Sequence, residues 1–307
     1  MHPAAFQQFK EVGIIIPKSM DELALIRYKN KKATFASREL RIVVYPTQDC
    51  NLKCWYCYEN HVPNTRLTKE ISGRIERFVS KEINKNSFDK LHVTFFGGEP
   101  LTDFNTIAYP LCKALKDKVE GVGKEFACFF VTNGSLIGED TIGKLKEIQP
   151  NLQITIDGKK GQHDKVRIWK DKDKPTFEHI MWAIHKLTAE IDKRYFITLR
   201  INYDNKTLLG ADEILEQIKD IDPKKIFIHF ERVWQTMNDV DQEQIKLLLD
   251  TMTKFIKAGF AVNQGAFRGL PFSCPSEMNN TVVINYDGTI HKCNGRTLTA
   301  QTQYGNL

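Results

Sequence analysis

One pattern repeats six times between residues 40 and 258: a short strand-like run, then a helix-like run. The strand-like runs cover 40–45, 91–96, 126–131, 152–156, 196–201 and 225–230, and the helix-like runs 68–83, 107–119, 141–148, 177–191, 211–221 and 242–258. In the first helix-like run Ile71, Ile75, Phe78, Val79 and Ile83 share one face, with Thr68 placed to cap it. In the fourth, Phe177, Ile180, Met181, Ile184, Leu187 and Ile191 fall in phase, whereas Pro110 blurs the start of the second. Repeated βα units imply a parallel sheet covered by helices.

Strands covered on both faces should be apolar on both. Here one parity is apolar and the other partly polar. Leu152, Ile154 and Ile156 alternate with Gln153, Thr155 and Asp157, and Leu199 and Ile201 alternate with Thr198, Arg200 and Asn202. Ile226, Ile228 and Phe230 alternate with Phe227, His229 and Glu231, and His92 and Thr94 share a face. Side chains alternate with period two, so one face of the sheet is lined with polar groups. An open barrel with a wet, ligand-filled interior needs that lining, while a dry core would penalise it. The expected fold is therefore α/β, a partial (β/α)6 TIM-like barrel over 39–260. A small cap over 1–38 precedes it, with an apolar segment at 12–16 and a short helix at 21–26. Residues 261–307 follow as an extension, with strand, turn and strand at 281–285, 286–288 and 289–292.

Composition narrows the classes. No run of about 18 apolar residues exists, so no membrane span is read. The N-terminus has no basic-then-apolar signal pattern. The net charge of +6 is scattered along the chain, which argues against a nucleic-acid partner. Seven cysteines without secretion point to metal ligation or core packing in a reducing, cytoplasmic setting. Cys112 and Cys128 sit among apolar neighbours in regular elements and read as core. Cys50, Cys54 and Cys57 are different, because they fall in one short run. A 4Fe–4S cube normally takes four thiolates, so three leave one iron open. An open coordination position points to chemistry rather than structure. The plainer alternatives are a zinc site lacking its fourth ligand, or three buried thiols.

The run Cys50-Asn51-Leu52-Lys53-Cys54-Trp55-Tyr56-Cys57-Tyr58-Glu59 resembles the signature of the radical S-adenosylmethionine (SAM) superfamily. Its aromatic-rich form, with a terminal Cys274…Gly288-x4-Cys293 hairpin, resembles the SPASM-type subset that matures ribosomal peptides or sulfatases. The resemblance spans about residues 39–307. It implies that Cys50, Cys54 and Cys57 hold a 4Fe–4S cluster whose open iron chelates the amino acid end of SAM. Gly97-Gly98-Glu99-Pro100 looks like the segment that holds the SAM amino group through main-chain oxygens, although a doubled glycine also makes ordinary turns. Tyr56 stands where the family has an aromatic whose backbone meets the adenine, and its ring also reads as packing. Asn133 resembles the strand-end residue near the ribose or carboxylate, or is a turn residue. Thr155, where the family usually has Ser, and Asp157 suit ribose hydroxyls. Arg167 offers a planar fork for the SAM carboxylate. His163 and Asp164 read as a loop-locking pair. Arg200, Asn202, His229 and Glu231 are candidates to hold or deprotonate the substrate, or form an interior salt-bridge network. Cys274 and Cys293 look like the first ligands of an auxiliary 4Fe–4S cluster in a longer protein. No cysteine follows them, so the extension is read as truncated or vestigial, without its cluster or poorly ordered near residue 307.

The activity this resemblance implies begins when the reduced cluster passes an electron to SAM. SAM then breaks to methionine and a 5′-deoxyadenosyl radical, which abstracts hydrogen from a peptide or protein. A reductant such as a flavodoxin or ferredoxin is implied. Three classes compete: a maturase forming a cross-link, thioether or epimer in a ribosomal peptide, an anaerobic sulfatase-maturating enzyme, and a non-catalytic Fe–S peptide-binding protein. The glycine segment and Arg167 argue against the third.

Overall fold

The computed structural model describes residues 2–11, 13–171, 174–236, 242–264, 273–295 and 297–307. Val12, part of the expected apolar segment, lies outside them. The chain begins with two helices, α1 (Pro3–Glu11) and α2 (Glu22–Phe35), the second capped by Asp21, which accepts from Ala24 N. The alternating body follows as β1 (Glu39–Thr47), α3 (Lys69–Asn84), β2 (Lys90–Gly97), α4 (Tyr109–Glu120), β3 (Glu125–Thr132), α5 (Glu139–Ile148) and β4 (Asn151–Ile156). It continues as α6 (Lys160–Val166), α7 (Phe177–Glu190), β5 (Ile197–Tyr203), α8 (Asn205–Leu209), α9 (Ala211–Ile218), β6 (Ile226–Arg232), α10 (Gln242–Lys257) and β7 (Ala261–Gln264). Three short strands close the described chain: β8 (Thr281–Ile284), β9 (Thr289–His291) and β10 (Gln303–Asn306).

All ten strands form one sheet in the order β10-β9-β8-β1-β2-β3-β4-β5-β6-β7. Strands β1 to β7 run parallel, in registers such as Ile42↔Val93 and Leu199↔Ile228. Among the described residues the sheet does not close on itself, and β10 and β7 are its two edges. Among the described residues no helix is long and apolar enough to cross a membrane.

The two strand parities have different fates. Leu91, Val93 and Phe95 are fully buried under the helices, while their neighbours His92, Thr94 and Phe96 are half-buried on the inner face. The outer layer is closed by Ile75 and Val79 of α3, Leu111 and Leu115 of α4, Ile180, Ile184 and Leu187 of α7, and Phe255 of α10. Each such side chain contributes about 1.5–3 kcal/mol of burial. The inner row therefore shapes the lumen, and the outer row holds it in place.

Several elements differ from expectation. The helix expected at 107–119 starts at Tyr109, after a turn of 3-10 helix at Pro100–Asp103 and a π-helical turn at Phe104–Ala108. Pro110 then falls in the first turn of α4, where its missing N–H is no loss. The helix expected at 211–221 forms as α9 and ends at Ile218, and the short helix α8 before it, capped by Asp204 accepting from Thr207 N, was not expected. Strand β7 was not expected, since four residues carry too little periodicity.

The terminal hairpin forms as expected, turning at Gly288 with φ 84°, but it is part of the main sheet: β8 pairs in parallel with β1. Strand β10 pairs with β9, and Leu307 N donates to Gly288 O at 3.0 Å.

Candidate active site

Strand β1 delivers the cysteine loop to the C-terminal end of the sheet, where ligands bind in such folds. The loop's entry is locked by the Asp49 carboxylate, which accepts from Cys50 N and Asn64 N and pairs with Lys170 at 2.8 Å. Its first half is zipped to the segment after α6. Lys170 N donates to Asn51 O at 2.9 Å, Lys53 N donates to Ile168 O at 2.8 Å, and Leu52 between them is fully buried. Cys57 N donates to Cys54 O and so closes the turn that carries the second and third thiols.

All three cysteines line one cavity of about 900 Å³, open to solvent. Tyr56, Gly97, Gly98, Asn133, Thr155, Arg167, Arg200 and Asn202 line it too, as the sequence led one to look for. Glu99, Asp157, His229 and Glu231 stand outside its lining, as do Cys274 and Cys293. Cys274 is exposed and Cys293 half-buried. Cys293 follows β9, and the main chain beside it is held by Tyr45, whose hydroxyl donates to Asn294 O at 3.2 Å.

The doubled glycine is explained by the chain itself. A Cβ on Gly97, whose φ is 118°, would lie 2.3 Å from Thr47 O, and one on Gly98 would lie 1.9 Å from Asp49 O. The end of β2 thus lies directly against the cysteine loop, with Gly98 N donating to Thr47 O and Glu99 N to Asp49 O. The Glu99 side chain points away from the cavity and is fully buried. Its carboxyl accepts from Leu101 N at 3.0 Å, Thr132 Oγ1 at 2.7 Å and Asn133 N at 2.7 Å. Burial pushes its pKa up to about 7, against the pull of those three donors. Asn133 is both turn residue and neighbour of the thiols. Its Oδ1 accepts from Ser135 N, and its Nδ2 donates to Asn51 Oδ1 and lies 3.8 Å from Cys50 Sγ.

A buried polar hub stands beside the cysteine loop, centred on Tyr56. Arg167 Nε donates to Asp157 Oδ2 at 2.7 Å, and Nη2 donates to the Tyr56 hydroxyl at 2.8 Å. That hydroxyl donates to the same Asp157 Oδ2 at 2.6 Å and accepts from Asn202 Nδ2 at 3.0 Å. Arg200 Nε continues the chain to Asn202 Oδ1 at 2.8 Å. Asp157 Oδ1 is buried without a hydrogen-bond partner among the described residues. His163 and Asp164 lock the loop as expected. Asp157 N donates to His163 Nδ1, and Asp164 Oδ1 accepts from Thr176 N and Phe177 N. Burial and the Arg167 charge hold His163 neutral, with its proton on Nε2 facing Thr176 Oγ1 at 3.0 Å. His229 and Glu231 pair with each other at 2.9 Å.

Burial pushes the Cys50 thiol up to about 12, with the Glu99 charge adding to it. It pushes Cys54 up to about 11, partly offset by Arg167, and it raises Cys57 as well. Among the described residues no three His, Cys, Asp or Glu side chains converge on a single-ion site. Three thiols on the lining of one cavity, with the unpartnered oxygen of Asp157 buried beside Tyr56 of the same loop, fit a larger cluster and a polar ligand.

Sequence reasoning missed part of the lining. Gln153 carried a signal in its strand parity. Arg232, Val233, Trp234 and Gln235, which follow or end β6, carried none. Gln235 nevertheless reaches back to donate to Tyr56 O at 2.6 Å. Glu59 and His61 also line the cavity, His61 Nε2 lying 3.5 Å from Cys57 Sγ.

The family model described as the Radical SAM superfamily matches residues 44–208. The cysteine-type anaerobic sulfatase-maturating enzyme of Clostridium novyi is 28% identical over 210 residues, covering 66% of this chain and 53% of that one. The solved structure of native anSMEcpe with bound AdoMet superposes with a TM-score of 0.69 at 19% identity, covering 87% of this chain and 77% of that one. Streptococcus suis SuiB bound to precursor peptide SuiA superposes with a TM-score of 0.63 at 15% identity, covering 98% and 74%. At these identities the structural likeness is one of fold. The chain spans about a third to a half of the length of the curated relatives it matches.

Proposed function

The chain belongs to the radical SAM superfamily, and from that membership we propose that it cleaves SAM at a 4Fe–4S cluster held by Cys50, Cys54 and Cys57 and modifies a peptide or protein. The observation that carries this reading is the convergence of the three thiols, the doubled glycine and Arg167 on one polar-lined cavity. When bound, the reduced cluster and SAM supply a 5′-deoxyadenosyl radical able to take hydrogen from carbon. The chain's own task is to bind, orient and exclude water. Among the described residues Arg167 spends two of its five donors, on Asp157 and Tyr56, and the other three are enough for a carboxylate at the cavity wall. Thr155 offers a hydroxyl on the same lining, and Arg200 and Asn202, which also line the cavity, are our candidates to hold the substrate. His229 and Glu231 act behind them.

A peptide substrate is supported by the relatives named as sulfatase maturases and by the neighbour bound to its precursor peptide. Sulfatase maturation is the second reading, favoured by the match to the Clostridium novyi enzyme. We assign the barrel expected over 39–260 to catalysis, together with β7, which joins its sheet, residues 1–38 to a cap, and the segment after β7 to an auxiliary-cluster extension with Cys274 and Cys293 as ligands. The reductant is a flavodoxin or ferredoxin.

The test is anaerobic reconstitution followed by a SAM-cleavage assay and mass analysis of a co-encoded peptide. Wild-type protein should release 5′-deoxyadenosine, and Cys54→Ala should release none. Cleavage retained by Cys54→Ala would overturn the assignment.

A further inference from the structure

We propose that the Tyr56 hydroxyl is a positioning group that couples the state of Arg167 to the geometry of the cysteine loop. The inference rests on the reading that SAM and the cluster share the cavity. Tyr56 stands between the second and third cysteines, and its side chain leaves the loop to meet three separate elements. It donates to Asp157 at the end of β4, accepts from Arg167 at the end of α6, and accepts from Asn202 on β5. A phenol has one proton and two lone pairs, so this hydroxyl is saturated. Arg167 and Asp157 are both nearly fully buried, their side chains 7% and 3% exposed. A buried hydroxyl with every position filled admits one arrangement and resists others.

The loop's two halves are held differently. Backbone bonds from Asn51 and Lys53 to residues 168–170 hold the first half. The second half is held through Tyr56, by its hydroxyl and by the Gln235 amide on its main-chain oxygen. The hydroxyl touches both Arg167 and the carboxylate that neutralises it. A carboxylate arriving at the free edge of Arg167 draws on the charge that now faces Asp157 Oδ2. Tyr56 shares that oxygen, so it moves with the pair, and the backbone between Cys54 and Cys57 moves with Tyr56.

Tyr56→Phe removes only the hydroxyl and keeps the ring and the main chain. The readouts are iron content, SAM affinity, and the change that SAM causes in the electron paramagnetic resonance spectrum of the reduced cluster. The variant should keep about four irons, bind SAM about tenfold more weakly, and show a diminished spectral response at saturating SAM. Tyr45→Phe is the control. Tyr45 is another buried phenol beside the loop, bonded to Asn294 and Glu59 instead, and should stay within twofold of wild type.

A Tyr56→Phe response matching wild type in midpoint and amplitude overturns the proposal. Should Tyr56→Phe lose iron, Asn202→Ala decides. It removes one bond to the same hydroxyl and should weaken SAM binding about threefold, and a wild-type midpoint there overturns the proposal equally. A wild-type cluster blind to SAM would sink the functional reading itself, and this inference with it, before any variant is compared.

Discussion

Glu99→Gln sets burial against hydrogen bonding at one side chain. The carboxyl is fully buried and receives three donors, two backbone N–H groups and the Thr132 hydroxyl. An amide of the same shape has one oxygen instead of two. Whichever way it turns, its NH2 faces either Leu101 N or Asn133 N, and a buried donor is left without a partner. That costs about 1–3 kcal/mol.

The wild type has its own penalty, which depends on pH. Burial raises the Glu99 pKa from 4.5 to about 7. Between those values the folded state holds a proton that the unfolded state has released. The stability linked to this group is therefore complete below pH 4.5 and falls as pH rises towards 7. At 1.36 kcal/mol per unit the loss reaches about 3 kcal/mol. Glutamine does not titrate. Urea unfolding of the metal-free protein at pH 5, 6, 7 and 8 should show wild type ahead of the variant at pH 5 by about 1–3 kcal/mol. The gap should close, or invert, by pH 8. A gap that stays constant or widens with pH would refute the reasoning, because it would mean the three donors outweigh burial and hold the carboxylate ionised.

Arg167→Lys should weaken SAM binding by about 1–3 kcal/mol, since a point charge replaces a planar fork. Calorimetric affinity equal to wild type would confine Arg167 to its pairing with Asp157. Gly98→Ala should lower folding stability by about 3 kcal/mol or more, because the new Cβ would meet Asp49 O at 1.9 Å, and an unchanged thermal midpoint would show that the loop can yield. For Cys274 and Cys293, two thiolates cannot close a cube that takes four, so this chain should bind about four irons. A count of about eight, falling to about four in Cys293→Ala, would show that the hairpin recruits further ligands.

Much of the barrel was legible because strand parity and helix phase are local signals. Leu152, Ile154 and Ile156 had to face one way and Gln153 and Thr155 the other. The structure places the first set under helices and the second on the cavity. The cysteine loop was legible because its spacing is short. What escaped depends on residues far apart in sequence. The Tyr56 hydroxyl meets Asp157, Arg167 and Asn202, which lie 101, 111 and 146 residues further on. No window of sequence contains that hub. Gln235 hides for the same reason, at 179 residues from Tyr56. Gly97 and Gly98 were visible as glycines, but not the carbonyls of Thr47 and Asp49 that exclude a side chain there. Strand β7 was lost to shortness, and the π-helical turn before α4 has no periodicity of its own.

The pairing of β1 with both β2 and β8 also orders events in time. Arg41 finds His92 about 50 residues later, but its partner on the other side, Thr281, is about 240 residues away. At roughly 5–20 residues per second the ribosome needs some 10–50 s to supply that second neighbour. Throughout that interval one edge of β1 is bare, the kind of edge that recruits strands from other chains. Such distant pairings also slow refolding from denaturant. The strand that leads into the three thiols is thus made well before its second neighbour and is among the last to be flanked on both sides.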